Sequence, residues 1–557
     1  MSEQAHTVGR YLAERLKQLG VGHVFGVPGD YVLTFMDQII DSGIALIGTC
    51  NELNAGYAAD AYGRINGLGA LCVTYGVGGF SALNAVAGAY AEQVPVVAIS
   101  GTPELAHRRP SMLLHHSVGD LRAQLSIYEH VTVASVLLTD PDQAPAQIDA
   151  VLAACLIHKR PVMIEIPVDL VQRPCAAPGA FQPVLPASDP AALDEALDEI
   201  TGLLRAAERP AILAGVELHR FGLLEDFEKL VARTGIPVAT TLLGKTVISE
   251  RDACAVGVYE GAMSRPEVRR VVESADALLC LGAWMSEMDL GIYTAHLDER
   301  RMVNANSGRV RIRYHSYEPV TLRDLLQGLT GRIEANSLRR SQFVPAATAL
   351  KQDVLTTNAD RALTVRHLFA RINRLLTDDT IVIADAGDAL FSSADLVMHR
   401  EADFIGQAFY LSIGYSVPAA LGVQLAAPGR KVISIVGDGA FQMTAQELST
   451  IIRHRLKLTL FLLNNDGYST ERLIHEGPYN DIHGWQYHRL PDVFGGGLGL
   501  CVRTEGELEA ALERAEGFED GPVLIEVMLE RSDSSDQLKR LCDEIARKSS
   551  PPLRNAE

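Results

Sequence analysis

Two short stretches in the last third of the chain offer oxygen atoms to a cation. "SIVGDGAF", Ser434–Phe441, ends a β-branched run in Gly-Asp-Gly, and "NNDG", Asn464–Gly467, follows the apolar run "LTLFLL". Taken alone, each reads as a turn, because Gly and Asn-Asp-Gly supply turn conformations cheaply. Together, the Asp438 carboxylate, the Asn465 amide oxygen and the Gly467 carbonyl form a hard-oxygen set suited to Mg2+ or Ca2+. One carboxylate is too little charge for an all-protein cage, so the remaining oxygens would come from a phosphate-bearing ligand. The backbone N–H groups of Gly439 and Ala440, at a helix entrance, would receive the same phosphates.

A second candidate lies in "LLHHSVGD". On a regular strand His115 and His116 would point to opposite faces, whereas on a loop both could join one proton relay. By itself a histidine pair reads as surface or packing.

These residues act together only if the fold converges them. Strand-like runs alternate with helix-like ones throughout: "HVFGV", "ALCVTY" and "PVVAIS", then "PAILAG", "PVATTL" and "ALLCLG", then "TIVIAD", "KVISIV" and "LTLFLLN". That alternation implies an α/β protein with helices on both faces of parallel sheets. Five prolines between Val171 and Pro190 mark an extended linker, and "SLRRSQFVPAATALKQDVLTTNADR" marks a second connection. Three doubly wound parallel-sheet domains are therefore expected, over 1–180, 191–340 and 360–545. In such a sheet the ends of successive strands share one edge, which lets Asp438 and Asn465 meet. A helix is expected from Thr444, with Glu447 completing a capping box. The first and third units also resemble each other: each has a Gly/Ser loop, a small-residue helix and a β-run ending in Gly. That is a weak internal repeat, implying two related domains facing one cleft.

Composition narrows the partners. The 557 residues are 47% hydrophobic and 21% charged, with a formal net charge of -19, which argues against nucleic acid and anionic membrane. The uncharged windows Leu71–Ala91 and Ile405–Gly429 contain several glycines and polar residues, so they read as buried α/β interior. The N-terminus reads as an amphipathic helix and "RKSSPPLRNAE" as a fraying tail. Eight scattered cysteines, with no CxxC, argue against a zinc site or disulfide framework and fit a reducing cytoplasm.

"GDG" followed after 24 residues by "NN" resembles the motif of thiamine-diphosphate-dependent enzymes. "NNDGYSTERLIHEGPYNDI" is similar to the matching stretch of pyruvate and indolepyruvate decarboxylases, and the three-unit layout agrees along nearly the whole chain. The resemblance implies pyrimidine-binding, middle and diphosphate-binding domains, with thiamine diphosphate and Mg2+ as cofactors. Asp438, Asn465 and the Gly467 carbonyl would hold the metal. Glu52, in "NELNAGYAADAYGR", would hydrogen-bond the aminopyrimidine ring. Ile413, in "LSIGYS", would wedge between the cofactor rings, and the Leu411 carbonyl would accept from the 4′-amino group, although many relatives have Gly there. Asp388 would contact cofactor or substrate. Asp30 in "PGDY", His115, His116 and Glu471 together resemble the decarboxylase proton-transfer set. Without the resemblance, Glu52 is a helix-start acid, Ile413 a core residue and Asn465 a turn residue.

The implied reaction is non-oxidative decarboxylation of a small 2-keto acid to an aldehyde and CO2. Relatives specific for pyruvate carry Trp, Thr and often Ile where this chain has Leu390, Ala386 and Thr470. A roomier pocket is expected, favouring phenylpyruvate, indolepyruvate or a branched-chain keto acid over pyruvate. The rivals are a pyruvate decarboxylase, a carboligase of the acetolactate synthase type and a cofactor-binding protein without activity. In the family Glu52 of one chain meets the Asp438 loop of another, which implies at least a homodimer and commonly a homotetramer.

Overall fold

The computed structural model describes residues 6–109, 112–335, 337–339, 342–350 and 356–549. The first sheet contains β1 (His23–Gly26), β2 (Ala45–Gly48), β3 (Gly69–Thr74), β4 (Val96–Thr102), β5 (Ala134–Leu137) and β6 (Val162–Pro167), in the order β2-β1-β3-β4-β6-β5. The middle sheet contains β7 (Pro210–Ala214), β8 (Val238–Thr240), β9 (Ala255–Val258), β10 (Ala277–Leu281), β11 (Met302–Asn306), β12 (Arg309–Ile312) and β13 (His315–Tyr317). The third contains β14 (Thr380–Ala384), β15 (Asp403–Gly406), β16 (Lys431–Gly437), β17 (Leu458–Asn464), β18 (Leu498–Val502) and β19 (Val523–Met528), ordered β15-β14-β16-β17-β19-β18. Strand for strand, the first and third sheets have one topology, and all their pairings are parallel. The internal repeat is therefore a repeat of architecture. Every residue of β3, β4 and β6 is buried, as helices on both sides of a sheet require.

The middle sheet departs from the expectation of a purely parallel sheet. Its order is β13-β12-β11-β10-β7-β8-β9, and β11-β12 and β12-β13 pair antiparallel. Ser307 and Gly308 close the β11-β12 hairpin, with Gly308 at φ 88. In "RVRI" exposed arginines alternate with buried Val310 and Ile312, the pattern of an antiparallel strand with one wet face.

The first and third domains pack through two small-residue helices, Glu52–Asn66 and Ser416–Ala426. A Cβ at Gly422 would lie 2.1 Å from the Ala58 carbonyl oxygen, so glycine is what allows this approach. Around the seam, the buried Tyr415 hydroxyl donates to Asp60 at 2.6 Å, and Arg64 pairs with Asp60 and Glu92. The middle domain docks on the third through buried Lys245, which pairs with Glu250 and donates to the Ala394 and Leu396 carbonyls.

The proline-rich connection runs without helix from Gln172 to Asp189, where the Asp189 side chain accepts the Ala192 N–H and starts the Pro190–Ala206 helix. The second connection contains the Ala346–Leu350 helix, and its residues 340–341 and 351–355 lie outside the described residues. The N-terminal helix runs Val8–Gln18 from a Thr7 cap. The C-terminal helix Asp536–Ser549 takes in the start of the stretch expected to fray, and residues 550–557 lie outside the described residues.

The expected helix at Thr444 is corrected. The helix starts at Asp438 and ends at Thr444, followed by a 3-10 turn, Ala445–Glu447, and a helix, Leu448–Arg453. Thr444 and Glu447 do not form a capping box, because both side chains have tertiary partners. The Thr444 hydroxyl donates to the Gly414 carbonyl at 2.7 Å, while Glu447 accepts from the Cys50 N–H at 3.1 Å and from Asn54 Nδ2 at 2.7 Å.

Candidate active site

Strands β16 and β17 are neighbours, with Gly437 opposite Leu463, so the Gly-Asp-Gly and Asn-Asn-Asp-Gly stretches leave the sheet side by side. Asp438 is the first residue of its helix and is buried. Its Oδ1 accepts the Gly439 N–H at 2.8 Å and its Oδ2 the Gly467 N–H at 3.0 Å. Burial pushes the Asp438 carboxyl up to about 6, even with the opposing pull of these N–H groups. The Asn465 amide nitrogen donates to Ser469 Oγ at 2.9 Å, which leaves its oxygen for another partner. A Cβ at Gly439 would lie 2.4 Å from the Tyr468 ring, so the two loops touch only because residue 439 is glycine. Gly467, at φ 136, and Asp466, at φ 65, hold conformations that favour Gly and Asn/Asp.

The buried Arg472 was not anticipated from sequence. Its guanidinium donates to the Asn465 carbonyl at 3.1 Å and to the Asp466 carbonyl, and pairs with Asp481. It fixes the backbone of the Asn464–Gly467 turn. Nothing in "STERLI" distinguishes this arginine from an exposed helical one.

Leu411 and Ile413 lie on a loop clamped from two sides. Leu411 has φ 56, a left-handed conformation costly for a branched side chain. Asp385, just after β14, accepts the Gly414 N–H at 2.9 Å and the Ser416 N–H at 2.7 Å. Burial pushes the Asp385 carboxyl up to about 6. From the other side, Thr444 holds the Gly414 carbonyl, and the loop packs on the helix that begins at Asp438. Asp385 is a second residue missed from sequence; its only signal is an acid directly after a strand end, a frequent turn residue.

Asp388 opens the helix Asp388–Ser393 and is buried. The Ser535 N–H donates to its Oδ2 at 2.8 Å, and its buried Oδ1 has no partner. Ala386 and Thr470 are half-buried; Thr470 Oγ1 lies 3.7 Å from where a Cβ of Gly387 would be. Leu390 is fully buried in a cluster with Val216, Leu242 and Ala408, at the boundary with the middle domain.

In the first domain, Asp30, His115 and His116 meet on loops. His115 Nε2 lies 2.6 Å from Asp30 Oδ2, and its Nδ1 lies 3.1 Å from the Tyr31 hydroxyl. Tyr31 stacks on His115 with centroids 4.6 Å apart, and the two histidine rings are 4.7 Å apart. His116 has φ 64, and its buried Nδ1 has no partner. Glu52 is the first residue of its helix, beside Gly78. Glu471 is exposed on the first turn of Ser469–Ile474. Among the described residues, no hydrogen bond or ion pair within one chain joins Asp30, Glu52, His115 or His116 to Asp438, Asn465, Gly467 or Glu471.

Three family models match this chain in order: the N-terminal TPP-binding domain of thiamine pyrophosphate enzymes over residues 6–127, their central domain over 197–321 and their C-terminal TPP-binding domain over 385–527. An alpha-keto-acid decarboxylase of Mycolicibacterium paratuberculosis is 37% identical over 560 residues, covering 99% of this chain and 98% of that protein. A pyruvate decarboxylase of Aspergillus fumigatus is 36% identical, covering 96% of this chain and 95% of that protein. Pyruvate decarboxylase 1 of Pisum sativum is 36% identical, covering 98% and 94%. The chain belongs to the thiamine-diphosphate-dependent 2-keto acid decarboxylases. Its cofactor is thiamine diphosphate, for which Mg2+ is the usual partner metal in this family.

The residues of this decarboxylase fit that group. A buried carboxylate at Asp438 is relieved by a cation, an amide oxygen stands unused at Asn465, and a buried Asp388 oxygen lacks a partner. Bound thiamine diphosphate supplies an electron sink for the pair left on the keto carbon when CO2 departs. Among the described residues, no helix is long and apolar enough to cross a membrane.

Proposed function

We propose that this decarboxylase acts on an aromatic or branched-chain 2-keto acid, of which phenylpyruvate and indolepyruvate are examples, and releases the aldehyde. The observation that supports this reading is that Thr470 Oγ1 lies 3.7 Å from where a Cβ of Gly387 would be, which sets Thr470 beside the small-residue Ala386–Gly387 turn. Leu390, fully buried with Val216, Leu242 and Ala408, is the third position at which the resemblance implies a smaller side chain than pyruvate-specific relatives carry. One pocket change of this size is worth 10-fold or more in substrate preference, roughly 1–3 kcal/mol per methylene-scale contact.

The roles are those that the resemblance implies. Asp438, Asn465 and the Gly467 carbonyl would hold Mg2+, and Gly439 and Ala440 would face the diphosphate. Glu52 would hold the pyrimidine edge, Ile413 and the Leu411 carbonyl would set ring orientation, and Asp388 would contact cofactor or substrate. The close Asp30–His115 contact would let Asp30 orient the His115 ring, with His116 beside it for proton transfer. Glu471 would complete this set from another chain. Apolar side chains stand in solvent beside both half-sites, Val77 and Leu113 near the histidines and Met443 and Ile474 near the metal turn, which supports a homodimer or a tetramer built from it. The free thiols suit a reducing cytoplasm.

The test is kcat/KM for aldehyde formation across a panel of 2-keto acids, with and without thiamine diphosphate and Mg2+. Phenylpyruvate should exceed pyruvate by at least about 10-fold. A clear preference for pyruvate overturns the substrate assignment, and acetolactate in place of free aldehyde overturns the product.

A further inference from the structure

Three donors of different softness meet at the far strands of the third sheet. Cys501 of β18 and Glu526 of β19 are register partners in a parallel pair, so their side chains leave the same face. His488, in the 3-10 turn Tyr487–Arg489, is held against them. Its N–H donates to Glu526 Oε2 at 3.0 Å, and its Nδ1 lies 2.5 Å from the same oxygen. This approach depends on Gly499, where a Cβ would lie 1.7 Å from the His488 carbonyl oxygen. Glu526 cannot swing away, because Asn464 Nδ2 donates to its Oε1 at 2.7 Å. One donor atom from each of His488, Cys501 and Glu526 lies within 4.8 Å of the other two. Glu526 is buried, while His488 and Cys501 are partly exposed, so a cation has both a fixed base and a way in.

We propose that His488, Cys501 and Glu526 form a second metal site, for a borderline-soft divalent cation of the Zn2+ class. A thiolate, an imidazole and a carboxylate are zinc donors, and the open side of His488 leaves a fourth position for water. The Asp438 set offers oxygen alone and suits Mg2+, so ligand softness sorts the two metals between the sites. On binding, the Cys501 thiol gives up its proton to solvent, the proton shared by His488 Nδ1 and Glu526 Oε2 is carried by solvent to His488 Nε2, and the metal takes its place between Nδ1 and Oε2. The ion ties β18, β19 and the 3-10 turn into one unit, and sequence spacing gives no hint of it, because the ligands lie 13 and 25 positions apart.

The test uses the full chain saturated with thiamine diphosphate and Mg2+, titrated with Co2+ as a spectroscopic stand-in for Zn2+. A thiolate-to-cobalt charge-transfer band should saturate at one equivalent per chain and be discharged by Zn2+. It should be absent from Cys501→Ser, which exchanges only sulfur for oxygen. One equivalent of Zn2+ should also raise the wild-type melting temperature, and should not raise that of Cys501→Ser or His488→Gln. The Asp30, His115 and His116 cluster contains no sulfur and contributes no such band. Absence of the band, or its persistence in Cys501→Ser, overturns the proposal.

Discussion

The Asp438 carboxylate accepts the Gly467 N–H at 3.0 Å across 29 residues of chain, tying the ends of β16 and β17 into one oxygen-lined turn. If that turn holds Mg2+, Asp438→Ala should weaken Mg2+-dependent binding of thiamine diphosphate by about 100-fold or more. Isothermal titration measures this, and unchanged affinity would remove Asp438 from the metal site.

Asp30 and Glu471 are expected to act after cofactor binding. Asp30→Asn and Glu471→Gln should each lower aldehyde release by about 10²–10⁴-fold, the usual worth of a general acid or base, while cofactor affinity stays near wild type. Both variants turning over at wild-type rates would refute the proton-transfer set.

Asp385 provides a pH signature. Its folded-state carboxyl sits near 6, above the ordinary value of 3.8, so between those values the folded chain holds a proton that the unfolded chain has lost. This group therefore favours folding more as pH falls through that window, by about 1.4 kcal/mol per unit. The stability of wild type relative to Asp385→Asn should rise as pH drops from 6 towards 4, as read by denaturant titration of both proteins. A gap independent of pH would show that Asp385 is not the group titrating there.

Glu447 braces the seam between the first and third domains. Glu447→Ala leaves Asn54 Nδ2 and the Cys50 N–H without their acceptor in a buried setting. A loss of about 2–4 kcal/mol is expected in the transition reporting that seam, with a smaller loss for Glu447→Gln. A change under about 0.5 kcal/mol would mean water replaces the carboxylate freely.

The strands at the site were legible because each is a β-branched run flanked by turn residues; "KVISIV" and "LTLFLLN" appear as β16 and β17 almost residue for residue. The middle-sheet hairpin was not, since four residues of "RVRI" carry too short an alternation to outweigh the surrounding βα pattern. Thr444 and Glu447 mimicked a capping box because the motif is local, whereas their true partners, Gly414 and Asn54, lie 30 and 393 residues away.

The order of residue types along the chain was enough to determine three α/β units and the oxygen-bearing Asn464–Gly467 turn, because strand periodicity and turn residues are properties of neighbouring residues, while the cofactor followed from the resemblance that those motifs carry. Only the tertiary structure decided which buried groups hold that turn and its companion loop: Arg472 under Asn465, Asp385 behind Gly414 and Ser416, and Glu447 reaching the first domain. These contacts join residues far apart in the chain, and a buried polar group's need for a partner states that one exists without saying where it is.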